Sequence, residues 1–170
     1  EALLFDADKA AKSLLALIGN ILDFSKIEAG KLSVESVPMN PAAVVYEAVN
    51  ILQSRARQKG IFVTASIGAD VPETVSGDPA RLRQILLNLI GNAVKFTASG
   101  GIHVRMTATE FGADTSTLAF EVHDSGRGFD QSKSASLFEP FTQDYKLSTD
   151  DFEGTGLGLS ICKSLVDTLG

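Results

Sequence analysis

The pattern that most restricts this chain runs from residue 3 to 27, where apolar side chains recur on two ladders of seven: Leu3, Ala10, Leu17 and Phe24, with Ala7, Leu14 and Ile21 between them. That spacing is an a/d seam and predicts a single helix of about 40 Å at 1.5 Å per residue. A helix so long and one-sided is not stable alone in water, because most helical stability comes from burying the apolar stripe. The stripe must lie against other helices, in a bundle formed between chains, or against the chain's own domain. Ala29-Gly30 is the predicted stop.

Past that stop the elements are mixed. Residues 32–37 alternate apolar and polar side chains and predict a strand. Asn40-Pro41 opens a second helix reaching about Lys59, and residues 61–67 predict another strand. Asp78-Pro79 opens a third helix, an N-cap followed by proline in the first turn. Strands over 102–109 and 118–123 come next. Residues 129–153 then show no sustained periodicity, as lids and binding loops do, before a last helix from about 157 to 169. Helices and strands interleave without strict βαβ alternation, so the predicted fold class is α+β: a two-layer sandwich of helices on a mixed β-sheet, preceded by the long helix.

The chain's 170 residues suffice for one domain with a helical extension. Fifteen Lys and Arg against 21 Asp and Glu leave a net charge of -6, which opposes a role in covering nucleic-acid phosphates or anionic lipid. The single cysteine, Cys162, excludes an internal disulfide framework and a cysteine-based zinc cage, and favours a reducing compartment such as the cytoplasm. No run approaches the roughly 18 apolar residues of a membrane span. Neither nucleic acid nor direct membrane contact is therefore expected. A start at Glu1 without an initiator Met, and a stop at Gly170 directly after a helical pattern, read as marks of a longer protein.

Three clusters carry candidate chemistry. On the third helix Arg81, Gln84, Asn88, Asn92 and Lys95 recur at steps of three and four, opposite Leu82, Leu86, Leu89 and Ala93. Asparagine and mid-helix glycine each cost roughly 0.5 to 1 kcal/mol relative to alanine, so Asn88, Gly91 and Asn92 together need a reason. They form either a solvated face or a site, with carboxamide oxygens for a hard cation and Lys95 for a phosphate. Next, Asp124-Ser125-Gly126-Arg127-Gly128 ends a strand. It is either a plain Asp-Gly turn or an acceptor-only carboxylate suited to an exocyclic amine such as adenine's. Finally, Gly154-Thr155-Gly156-Leu157-Gly158 runs into the last helix, where backbone N–H groups and the helix dipole favour an anion. It matches neither a P-loop nor a dinucleotide fingerprint. Between the two glycine clusters, residues 137–141 (Leu-Phe-Glu-Pro-Phe) predict an anchor that pins a lid by tucking Phe138 and Phe141 underneath.

In this order the segments resemble the catalytic core of a sensor histidine kinase, in the superfamily of gyrase-type and histidine-kinase ATP-binding domains. Residues 84–97 are similar to the family's N box, 124–128 to its first glycine box, 137–141 to its F box and 154–158 to its second glycine box. Residues 21–30 are similar to the end of the second helix of its dimerisation and phosphoacceptor bundle. The resemblance implies that residues 1–31 are that helix and 32–170 an ATP-binding domain with a lid at about 129–153. It implies ATP and Mg²⁺ as cofactors. Asn92 and Asn88 would hold the metal and Lys95 would contact phosphate. Asp124 would bind the adenine amine, and Phe96, Gly126, Gly128, Phe138, Gly154, Thr155, Gly156, Leu157 and Gly158 would complete the pocket. The family moves the γ-phosphoryl of ATP to a bundle histidine, from which a receiver-domain aspartate of a response regulator takes it, and it works as a homodimer through the bundle. ATP-hydrolysing relatives carry a glutamate at the place of Asn88. A carboxamide cannot take up that proton, so transfer to protein is favoured over hydrolysis.

This chain departs from the family pattern in three ways. The acceptor histidine is absent, since His103 falls on a predicted strand and His123 beside the first glycine box, so the chain is not expected to phosphorylate itself. Asp150, Asp151 and Glu153 stand where relatives carry basic residues, which predicts slow transfer or tight partner control, with Lys146 and Arg127 as compensating cations. A nucleotide-sensing pseudokinase, or a partner-binding module with weak or no transfer activity, is the alternative these features leave open. The strand hairpin that usually follows the last helix is also missing.

Overall fold

The computed structural model describes residues 2–111, 115–142 and 156–170, in two compact units. One comprises Glu1–Ser33 and Gln131–Thr168, with Gly170. The other comprises Val34–Asp130, with Leu169.

The larger unit is the mixed α+β layer. Strand β1 (Val37–Met39) leads into helix α2 (Pro41–Gln58), followed by β2 (Phe62–Ile67), β3 (Val75–Gly77), α3 (Pro79–Phe96), β4 (Gly101–Phe111) and β5 (Ser116–Asp124). Strands order as β2-β4-β5, with β2 parallel to β4 and β4 antiparallel to β5, while β1 and β3 form a separate antiparallel pair. Alternation along β4 sets the two faces of the sheet. Ile102, Val104 and Met106 are buried in one core with Val45, Leu52, Leu86 and Ile90 of α2 and α3, whereas His103 and Arg105 point the other way and are exposed. Each fully buried Leu or Ile contributes about 1.5 to 3 kcal/mol, so this layer holds α3 firmly.

Both helices begin as their sequence dictates. The Asn40 side chain accepts from Ala43 N at 2.9 Å, and Pro41 fills the first turn. Asp78 does more: Oδ1 accepts from Ala80 N and Arg81 N, both at 3.0 Å, and Oδ2 from Glu35 N at 3.1 Å. Burial pushes its carboxyl up, but the N–H groups of Arg81, Glu35 and Ala80 and the charge of Arg81 hold it below the usual value. A depressed carboxyl stabilises the fold above the unfolded pKa, and that contribution is lost as pH falls through the folded value. Asp78→Ala is therefore expected to cost about 2 kcal/mol at pH 7, with the difference from wild type narrowing below about pH 4. Denaturant unfolding at stepped pH checks this, and a gap that stays constant down to acid would contradict it.

The predicted strand over 32–37 is corrected. Only Val37 enters the ladder, because the partner β3 is three residues long and residues 32–36 have no strand to pair with. The pair β1–β3 has no sequence period long enough to announce it.

In the other unit, α1 (Ala2–Glu28) is the predicted long helix. It closes with Gly30 N donating to Ile27 O and Lys31 N to Lys26 O, both at 2.9 Å. Leu14, Leu15, Ile18, Ile21 and Leu22 on it are exposed. Two short 3₁₀ turns, Gln131–Lys133 and Ser136–Phe138, occur within the aperiodic stretch, and α4 (Gly158–Leu169) buries Ser160, Ile161, Cys162 and Leu165. Among the described residues no helix is long and apolar enough to cross a membrane.

Candidate functional site

In the larger unit the end of α3 and the turn after β5 are brought together. Asn88, Asn92 and Lys95 lie half-buried along the polar side of α3, whose opposite side buries Leu82, Leu86 and Ala93. The two carboxamides are one turn apart, so they share a face. Lys59 steadies the helix end, its Nζ donating to Val94 O at 2.6 Å and Lys95 O at 2.9 Å, which satisfies carbonyls that have no partner within the helix.

Asp124 is exposed at the end of β5, and its Oδ1 accepts from Gly126 N at 2.8 Å, a turn closed by its own side chain. Ser125 Oγ donates to Ser99 O at 3.0 Å and accepts from Gly101 N at 2.9 Å, tying this turn to the segment that leaves α3. Gly126 is glycine for a steric reason. A Cβ there would stand 2.8 Å from Phe96 O and 2.6 Å from Asp124 Oδ1. The half-exposed Phe96 ring has the Lys95 ammonium and the Arg127 guanidinium each 5.0 Å from its centroid. Burial first, and Arg127 second, lower the Lys95 pKa from its usual value. The sequence alone marks Arg127 only as a counterweight to lid charge. Its place on the ring depends on a contact between residues 31 apart, which no local pattern announces.

Beside this turn, a shallow depression of about 350 Å³ takes in Asp124 and Ser125 with Phe62, Gly101, His103 and His123, but none of the α3 residues. Both histidines are occupied within the sheet. His103 Nδ1 is 3.0 Å from Thr64 Oγ1 and its Nε2 2.9 Å from Ser66 Oγ, while His123 Nε2 lies 3.5 Å from Glu121 Oε2.

In the smaller unit Gly156 has φ +69°, and a Cβ on it would meet the Phe141 backbone at 2.7 Å; Phe141 N donates to Gly156 O at 3.0 Å. The residue between the last two glycine-box glycines, Leu157, is buried, and Gly158 opens α4. The expected burial of the two phenylalanines is corrected: Phe138 is 42% and Phe141 64% exposed. Phe141 adopts φ +61° and sets its ring edge-on to Phe24 of α1, centroids 6.2 Å apart, so it packs against one neighbouring ring instead of a core. Gly154, Thr155, Lys146, Asp150, Asp151 and Glu153 lie outside the described residues.

A mixed sheet with helices on one face, an asparagine-bearing helix and an Asp-Gly turn at its end define a class, and residues 77–170 match the family described as histidine kinase-, DNA gyrase B-, and HSP90-like ATPase. The chain belongs to that family. Among curated proteins it is 39% identical over 163 residues to the signal transduction histidine-protein kinase BarA of Escherichia coli (strain K12). It is 42% identical over 164 residues to the sensor histidine kinase GacS of Pseudomonas protegens. Both matches cover 96% of this chain but 18% of the relative's length. Among solved structures, full-length ShkA in complex with AMPPNP aligns with a TM-score of 0.77 at 33% identity, over 94% of this chain and 32% of that one. The histidine kinase AdeS of Acinetobacter baumannii, at 20% identity and a TM-score of 0.75, shares the fold.

Proposed function

We propose that this chain is the ATP-binding catalytic core of a two-component sensor histidine kinase together with one helix of its dimerisation bundle. The observation that carries the reading is the junction of Asp124, Gly126 and Phe96, which sets an acceptor-only carboxylate beside the last turn of α3, the helix whose polar side carries Lys95, Asn92 and Asn88. Asp124 takes the adenine amine and Lys95 a phosphate. Phe96, Gly126 and Gly128 shape the pocket around them.

The residues also fit Mg²⁺. Asn88 and Asn92 supply neutral hard oxygens, and among the described residues no cluster of three His, Cys, Asp or Glu competes for a metal. An ion held by two carboxamides must take its remaining ligands from phosphates and water, as Mg²⁺ does. When bound, it would neutralise charge on the transferring phosphoryl group. The chain's part is to hold and orient the nucleotide, leaving the acceptor histidine to the dimerisation helix. From there a receiver-domain aspartate accepts the phosphoryl group. The exposed apolar row of α1 supports a homodimer through the bundle, and the reading places the domain in the cytoplasm.

The test supplies the chain with a separate histidine-bearing bundle and ATP labelled on the γ-phosphate. Label on histidine is expected. Nucleotide binding without label would indicate a pseudokinase, and free phosphate alone an ATPase.

A further inference from the structure

We infer that Arg127 is a second phosphate-contacting cation of the nucleotide site, held beside Lys95 by the ring of Phe96. This rests on the proposed function and adds to it a residue that reads the charge of the ligand.

Three observations carry it. The Arg127 guanidinium and the Lys95 ammonium each lie 5.0 Å from one ring centroid, so the two charges are within about 10 Å, one Debye length at 0.1 M salt. Among the described residues no carboxylate forms an ion pair with Arg127, although the chain as a whole carries a net charge of -6. The backbone beneath it is fixed, because Gly126 sits against the Phe96 carbonyl and its N–H is tied to Asp124, three residues before Arg127.

Two cations near one phenyl ring repel each other, and the lowered Lys95 pKa, caused by burial and then by Arg127, registers that repulsion. The ring face attracts each cation and so keeps both beside it. A polyanion passing Phe96 meets both cations. A guanidinium carries five N–H donors in a planar fork that matches two phosphate oxygens at once, which an ammonium cannot do. The arrangement is thus poised for a ligand with an adenine end at Asp124 and a phosphate tail passing Phe96.

The experiment compares ATP, ADP and adenosine as competitors of a fluorescent ATP analogue, with Mg²⁺, on wild type, Arg127→Gln and Arg127→Lys. Arg127→Gln is expected to weaken ATP and ADP by roughly three- to ten-fold and leave adenosine unchanged, with Arg127→Lys in between. In the nucleotide-free protein, Arg127→Gln is also expected to raise the Lys95 pKa, read by NMR of its side chain. Arg127 is exposed, so thermal midpoints should match. Unchanged ATP affinity in Arg127→Gln, or an equal loss for adenosine, overturns this inference and leaves the proposed function standing. A wild-type chain that binds none of the three overturns both.

Discussion

Asp124→Asn is expected to weaken ATP binding by roughly 30- to 1,000-fold while the protein keeps its thermal midpoint to within roughly 2 °C. The substitution separates two tasks of one side chain. Oδ1 closes the turn by accepting from Gly126 N at 2.8 Å, and an asparagine oxygen does the same. The second carboxylate oxygen becomes an NH₂ group, so a donor meets the donor of the adenine amine. A charge-assisted hydrogen bond is lost and two donors are left facing each other, a combination worth about 2 to 4 kcal/mol. Titration with ATP and a thermal melt of the same sample measure both quantities. Affinity within roughly threefold of wild type would remove Asp124 from the adenine role.

Gly126→Ala is expected to damage the fold and the site together. The added methyl needs space held by Phe96 O at 2.8 Å, and that atom is backbone in the last turn of α3, which Lys59 and the buried Ile90 and Val94 keep in place. Something must move, at about 1 to 3 kcal/mol, or a fall in Tm of roughly 4 to 10 °C. ATP affinity should drop with it, since the displaced turn carries Asp124 and Arg127. Gly91→Ala is the matched control on the same helix. A Cβ there meets nothing within 4 Å, and alanine is the better helix former, so this variant should gain about 0.5 to 1 kcal/mol. Equal melting of Gly126→Ala and wild type would show that the turn is looser than its contacts imply.

Local rules were enough for much of the fold. Asn40-Pro41 and Asp78-Pro79 announce α2 and α3 because a cap and a proline act within one turn, and the 2.0 period of residues 102–109 survives in β4 because one face of that strand is buried. Where pairing is decided at long range the sequence was silent. Val75–Gly77 is too short to show a period, and the alternation of residues 32–36 found no partner. The candidate site divides the same way. Asn88, Asn92 and Asp124 stood out as residue types that cost stability or ask for a donor, whereas Arg127 on Phe96 is a contact between distant positions. Phe138 and Phe141 misled through composition, because an aromatic pair in a loop reads as an anchor driven inward, and here neither ring is buried.

The chain that leaves α1 does not reach the sheet freely. It is clasped by three residue pairs to Val75–Gly77, the stretch that runs directly into the head of α3, and Glu35 is fastened to Asp78 at that head. This clasp ties the stretch before α2 to the first turn of the asparagine-bearing helix. A slip of one residue in so short a clasp would turn every side chain of the strand over.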